Sequence, residues 1–108
     1  MSEKKPLVFK NAKIITPIRV IDNGVLVVKE GKISSVGPRN EIKVPKNAKE
    51  IDITGKYLAS GFIDIHLPGG GGADTMDATQ KAMEKLSVVH ARGGVTSILP
   101  TTQPRIYS

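Results

Sequence analysis

The sequence contains no cysteine and no tryptophan among its 108 residues. The lack of cysteine excludes a disulfide framework, a thiolate nucleophile and a thiolate metal site, so any metal ion must be bound by histidine or carboxylate side chains. Long hydrophobic runs are also missing, since none approaches the roughly 18 residues that a membrane-spanning helix needs. The N-terminus shows no signal-peptide pattern. These absences indicate a soluble, cytoplasmic protein that has no membrane partner.

Positive charge is in excess, with 16 Lys and Arg against 10 Asp and Glu. Clustered basic residues favour nucleic acid, because they release counterions from the phosphates. Here the basic residues are scattered among glutamates, and aromatic residues make up only 4%, too few for a base-stacking platform. We therefore predict no nucleic-acid partner and a solvated, Lys-rich surface. A self-contained basic binding module stays open as an alternative, and it predicts nucleic-acid affinity that falls steeply with salt.

Short Val- and Ile-rich segments alternate with charged and turn residues over the first sixty residues, a pattern typical of β structure. Asn23-Gly24 predicts a hairpin or turn because both residues tolerate positive φ, and Glu30-Gly31 predicts a tight hairpin. The first part of the chain is therefore expected to be an antiparallel β segment. Its predicted strands are residues 7–10, 12–16, 25–29, 32–36, 50–53 and 56–58.

The pattern changes after residue 60. Residues 62–67 and 95–99 are short apolar segments typical of strands, and a helical pattern separates them. A strand, a helix and a strand over about 40 residues predict a β-α-β unit with parallel strands that are covered on both sides. One such unit cannot close a sheet, so we expect this chain to be the N-terminal portion of a longer protein.

Local residues predict where the helix begins, what it buries and where it ends. Asp77 matches an N-cap with Gln80 at the third helical position, and Gly93-Gly94 supplies the stop. His90 is expected to be exposed in the last turn, where a cation suits the helix dipole. The predicted buried stripe is Ala82, Leu86 and Val89, with Ala78 preceding them on the same stripe.

Two ionisable residues, Asp64 and His66, interrupt the first parallel strand and share one of its faces by alternation. An unpaired polar group on a covered face costs about 2–7 kcal/mol, so both residues need a partner. They lie at the carboxyl end of the strand, where parallel sheets bind ligands and where a neutral imidazole is a natural metal ligand. The alternative is structural, with Asp64 accepting hydrogen bonds from backbone amides of the next loop.

Four consecutive glycines, Gly69 to Gly72, follow that strand. They allow close backbone approach to a ligand, but the run lacks the Lys-Ser/Thr of a P-loop. The run is a weak signal by itself, and the alternative is a flexible connection between strand and helix. Thr101 and Thr102 end the second strand on the same rim as His66 and either line a pocket or make the turn.

Three segments resemble a known family. Residues 57–66 read YLASGFIDIH, similar to the PGFIDxHxH motif that opens the barrel of metal-dependent amidohydrolases. Residues 72–79 read GADTMDAT and residues 94–102 read GVTSILPTT, and these look like the N-acetylglucosamine-6-phosphate deacetylase family. The resemblance spans essentially the whole chain, because the N-terminal hairpins look like the first half of that family's small β-sandwich.

The resemblance implies an α/β fold, with the N-terminal part of a β-sandwich in residues 1–58 and the first β-α-β unit of a (β/α)₈ TIM barrel in residues 59–108. It implies hydrolysis of N-acetylglucosamine 6-phosphate to glucosamine 6-phosphate and acetate, with a divalent metal such as zinc, iron or manganese, and a homodimer when the protein is intact. His66 would be a metal ligand with Asp64 as its structural support, and Gly70 and Gly71 would lie beside the substrate.

The sequence departs from the family pattern at two positions. Leu67 and Pro68 follow His66, so the second histidine of the usual His-x-His pair is absent, and Ser60 replaces the usual proline. The later Glu and His ligands and the catalytic Asp of the family fall beyond residue 108. We therefore expect no catalytic residue in this chain and no deacetylase activity from it alone. A second hypothesis is another amidohydrolase, resembling dihydroorotase or adenine deaminase.

Overall fold

The computed structural model describes residues 4–103, so the last five residues of the predicted barrel segment 59–108 lie outside the described residues. The chain divides into two compact units, Met1–Ser60 and Gly61–Ser108. Among the described residues, no helix combines the length and the apolar character needed to cross a membrane.

The N-terminal unit is a five-stranded sheet in which the first strand is paired along both edges. Its strands are β1 Leu7–Ile15, β2 Val20–Lys29, β3 Lys32–Pro38, β4 Lys49–Asp52 and β5 Tyr57–Leu58, with a 3₁₀ turn at Arg39–Glu41. The strand order is β3-β2-β1-β4, and β5 also pairs with β1. The first three strands are antiparallel, but β4 and β5 run parallel to β1, so the prediction of a purely antiparallel segment is wrong. Strands β1 and β3 point the same way, because each is antiparallel to β2. After β3 the chain crosses to the other edge of β1 and enters β4 pointing the same way again, so β4 is parallel to β1.

The Glu30-Gly31 hairpin is confirmed. Both residues have positive φ, 51° and 74°, and Lys29 pairs with Lys32 across the turn. Positive φ at both central residues gives the turn the twist of the flanking strands, so the local sequence is enough to reverse the chain here.

The predicted turn at Asn23-Gly24 is wrong, because β2 runs straight through it. Asn23 does take a positive φ of 46°, as the residue type suggested, but it does so inside the strand, where the pairing with β1 shifts register. A Cβ on Gly24 would lie 2.6 Å from Ile14 Cδ1. The glycine therefore allows the Ile14 side chain of β1 to pack closely against β2, and it does not form a turn. The chain reverses earlier, where Thr16 Oγ1 accepts a hydrogen bond of 3.0 Å from Arg19 N.

Asn11, like Asn23, has a positive φ inside a strand where the pairing shifts register. The sequence predicted two strands, 7–10 and 12–16, whereas the structure has one strand with a left-handed residue at Asn11, φ 58°.

Nearby, Asp52 accepts hydrogen bonds of 2.6 and 3.0 Å from the hydroxyl and backbone amide of Thr54. These bonds, with one from Asn11, lower the pKa of Asp52 from 3.8 to about 2.

Two groups of buried aliphatic side chains form the core of this unit. The first is Val8, Val25 and Val27, covered by Ile42, Val44 and Ala48 from the connection that precedes β4. The second is Ala12, Ile14 and Ile21, with Leu26, Ile53 and Leu58 packed against it. Each fully buried valine contributes roughly 1.5–3 kcal/mol relative to an exposed one, so these clusters stabilise the sheet.

The C-terminal unit contains the predicted β-α-β connection. Its first and last strands are parallel neighbours, and a helix lies between them in the sequence. A full barrel is not contained in these residues, which form a two-stranded parallel sheet and one small hairpin. The elements are β6 Phe62–Leu67, β7 Gly69–Gly70, β8 Ala73–Asp74, a 3₁₀ turn Thr75–Asp77, α1 Gln80–Arg92 and β9 Val95–Pro100.

Helix α1 begins two residues later than predicted. Its N-cap is Thr79, whose Oγ1 accepts a 3.1 Å hydrogen bond from Ala82 N, so the assignment of Asp77 as the N-cap is wrong. Asp77 instead completes a capping box with Asp74 around the 3₁₀ turn. The 3₁₀ turn and helix α1 are separate because Ala78, between them, adopts a left-handed conformation, φ 51°, which a continuous helix cannot contain.

Burial in this unit is less complete than the pattern predicted. Ala82 and Leu86 are buried as expected, but Val89 is partly exposed. Strand β6 was expected to be covered, yet Ile63 and Ile65 are 72% and 73% exposed. Helix α1 packs against β7, β8 and β9, which leaves most of β6 without a covering layer among residues 61–103.

Candidate functional site

Asp64 and His66 lie on the last part of β6, as predicted. Asp64 is half-buried, and its Oδ1 accepts a 3.0 Å hydrogen bond from the backbone amide of His66. His66 is exposed, so its imidazole is accessible. Asp64 therefore has the backbone partner that a structural role requires, and it contacts His66 through the main chain.

The residue after His66 is held by two threonines. Leu67 N donates to Thr101 Oγ1 at 3.0 Å, and Leu67 O accepts from Thr101 N at 2.9 Å and from Thr75 Oγ1 at 3.0 Å. The sequence left Thr101 as a pocket or turn residue and did not single out Thr75. The parallel register reveals the role of Thr101, because it places the end of β9 beside the end of β6. Thr75 reaches Leu67 O because the glycine hairpin brings the chain back to Pro68, whose carbonyl accepts from Thr75 N.

Replacing Thr101 with valine is expected to loosen the end of β6. Valine keeps the shape but leaves the Leu67 amide without its acceptor, which costs about 1–3 kcal/mol. The exchange rate of the Leu67 amide proton should therefore rise at least about fivefold. Thr101→Ser keeps the hydroxyl and should retain the slow exchange. Equal exchange in the valine and serine variants would show that the hydroxyl does not hold this strand end.

The four glycines form a tight hairpin after β6. Gly69 pairs with Asp74 and Gly70 with Ala73, while Gly71 and Gly72 make the turn with φ of 61° and 80°. Thr75 N donates to Pro68 O at 2.8 Å and closes its base. The run is thus an ordered connection, and it brings Gly70 and Gly71, the predicted substrate neighbours, to the last turns of helix α1.

His90 is not the exposed end-of-helix residue that was predicted. It is half-buried, and its Nε2 lies 3.1 Å from Gly69 O. The helix dipole favours a cation at this position, which predicts an exposed side chain. The glycine hairpin, however, packs against the same turn, so the imidazole contacts the hairpin. Only the tertiary contact distinguishes these two environments.

The described residues do not make a metal site by themselves. Within residues 4–103, no three His, Cys, Asp or Glu side chains are grouped so that they could hold a metal ion. His66 offers one accessible imidazole, and its neighbours Leu67 and Pro68 offer no ligand side chain. One imidazole is well short of the three or four protein ligands of a typical zinc site.

Comparison with known proteins finds similarity in both sequence and structure. No family model matches the sequence. The chain is 40% identical over 99 residues to the N-acetylglucosamine-6-phosphate deacetylase of Bacillus subtilis, covering 89% of this chain and 24% of that protein. The chain resembles the N-terminal quarter of N-acetylglucosamine-6-phosphate deacetylases. A crystal structure of the deacetylase from Pasteurella multocida agrees, with a TM-score of 0.80 and 38% identity over 92% of this chain and 26% of that one.

Other enzymes share a weaker similarity. The dihydroorotase of Listeria welshimeri is 33% identical over 103 residues, which cover 90% of this chain and 22% of that protein. The chain thus spans about a quarter of the length of the relatives it matches. The resemblance to the deacetylase family that the three sequence segments indicated is confirmed.

Proposed function

We propose that this chain forms the N-terminal part of an enzyme that removes the acetyl group from N-acetylglucosamine 6-phosphate. The observation that carries the proposal is the agreement of sequence and fold with one family, 40% identity to one deacetylase and a TM-score of 0.80 to another. In the reaction, the oxygen of a water molecule adds to the acetyl carbonyl carbon and the carbon–nitrogen bond breaks. Both protons of the water move to the nitrogen, and the products are glucosamine 6-phosphate, with its amine as an ammonium group, and acetate.

Within that enzyme, the C-terminal unit of this chain would supply scaffold rather than reacting groups. His66 would offer one imidazole to a divalent cation, whose other ligands the rest of the enzyme would have to supply, and Asp64 would support it by accepting from its amide. Gly70 and Gly71 would lie beside the substrate and meet it with their backbone, since His90 and Val89 occupy the positions next to the missing Cβ atoms. The described residues form no metal centre alone, so we propose that the 108-residue chain is inactive by itself.

The test uses the protein encoded by the complete reading frame that contains this chain. Purified enzyme should release acetate from N-acetylglucosamine 6-phosphate, and a chelator should abolish the release until a divalent metal is restored. The 108-residue chain, assayed beside it, should release none above background. Metal-dependent acetate release by the short chain would contradict the proposal that it is inactive.

The similarity to dihydroorotase supports a second candidate, an enzyme that hydrolyses a cyclic amide. The same protein should therefore be assayed for the opening of dihydroorotate. We expect no turnover, because the identity to the deacetylase is higher, 40% against 33%. Turnover of dihydroorotate without acetate release would replace the first candidate by the second.

A further inference from the structure

The glycine hairpin, residues 69–74, is held to helix α1 by a side chain that the proposed function does not use. His90 Nε2 lies 3.1 Å from Gly69 O, and the ring is half-buried. A carbonyl oxygen only accepts hydrogen bonds, so Nε2 carries the hydrogen and donates it. The last turn of α1 is thereby connected directly to the first residue of the hairpin.

Gly70 makes this contact possible. A Cβ at this position would lie 2.7 Å from His90 Nε2 and 3.4 Å from Cδ2, so any side chain there would displace the ring. Gly70 does not adopt the left-handed conformation of Gly71 and Gly72, so its backbone could accommodate alanine. The missing side chain at Gly70 therefore serves the approach of the imidazole.

We propose that His90 is a positioning residue that fixes the place of the glycine hairpin at the end of β6. Its hydrogen bond to Gly69 and its close approach to Gly70 act together, because a ring displaced from Gly70 also leaves Gly69 O. The role of the hairpin as a substrate neighbour rests on the proposed function, whereas the coupling of His90 to the hairpin does not.

Amide exchange in the 108-residue chain tests the coupling. His90→Ala should speed exchange of the hairpin amides, residues 70–74, about fivefold, the effect of losing one hydrogen bond. Gly70→Ala should do the same by displacing the ring. His90→Gln retains an N–H donor and should recover part of the protection.

The double variant decides between coupling and two separate effects. With the ring absent, Gly70→Ala has nothing to displace. The hairpin amides of the double variant should therefore exchange no faster than those of His90→Ala alone. Additive effects, or no effect of either change, would overturn the proposal. If His90→Ala also loosens the helix amides of Ala82 and Leu86, Gly70→Ala decides alone, because it leaves the helix sequence unchanged.

Kinetics of the complete enzyme tests the consequence for the substrate. His90→Ala should raise KM for N-acetylglucosamine 6-phosphate about fivefold with kcat within about twofold, because a loosened loop weakens binding and not the chemical step. A fall in kcat at unchanged KM would overturn the positioning role. An enzyme without any deacetylase activity would count against the proposed function, and the exchange result would still stand.

Discussion

Replacing Val27 with aspartate is expected to unfold the N-terminal sheet. Val27 is 1% exposed and belongs to the buried cluster with Val8 and Val25. An unpaired carboxylate there costs at least about 4 kcal/mol, either as a buried charge or as a protonated group without a partner. A unit of about 60 residues is stabilised by only roughly 3–9 kcal/mol in total. The variant should therefore lose most amide protection in β1, β2 and β3.

Val20→Asp is the matched control for this prediction. Val20 lies on the same strand but is 53% exposed, so its carboxylate remains hydrated. The expected loss of stability is within about 1 kcal/mol, and amide protection in the sheet should persist. Urea unfolding, followed by circular dichroism and amide exchange, compares the two variants. Equal unfolding midpoints for both would show that Val27 is not in a core.

Replacing Leu86 with alanine is expected to have the second large effect. Leu86 is 0% exposed on the helix that packs against β7, β8 and β9. The cavity left by Leu→Ala costs about 2–5 kcal/mol, which is comparable to the whole stability of a unit with two parallel strands and one helix. The variant should lose protection of the α1 amides, as measured by hydrogen exchange.

Leu99→Ala is the control for the helix prediction. It removes the same atoms from a side chain that is 60% exposed, so the expected change is within about 0.5 kcal/mol. Retained helix protection in Leu86→Ala, or equal losses in the two variants, would contradict the assignment of Leu86 to the core of this unit.

Sequence reasoning succeeded where neighbouring residues alone decide the conformation. The Glu30-Gly31 hairpin needs only two positive φ angles, and the parallel pairing of β6 with β9 follows from a strand, a helix and a strand in sequence. Asp64 and His66 were placed on the end of β6 by the same local pattern.

The errors arose where one local preference serves two structures. Asn23-Gly24 allows a positive φ, which is compatible with a turn and also with a bulge within a strand. Pairing of this segment with the strands on both sides of it selects the bulge. Asp77 can cap an α-helix or a 3₁₀ turn, and the left-handed Ala78 decided for the turn. His90 at a helix end is compatible with solvent or with a contact, and the glycine hairpin supplied the contact.

The sequence by itself determined the kind of elements, the β-α-β order and the resemblance to the deacetylase family, because these depend on periodicity, turn residues and short contiguous motifs. Only the tertiary structure decided that β4 runs parallel to β1, that Thr75 and Thr101 hold Leu67, and that His90 meets Gly69. Each of these contacts joins residues 8 to 42 positions apart in the chain, as the paired positions Leu7 and Lys49, Leu67 and Thr75 show. Such contacts are set by which surfaces can be buried together, and a local pattern contains no information about the partner surface.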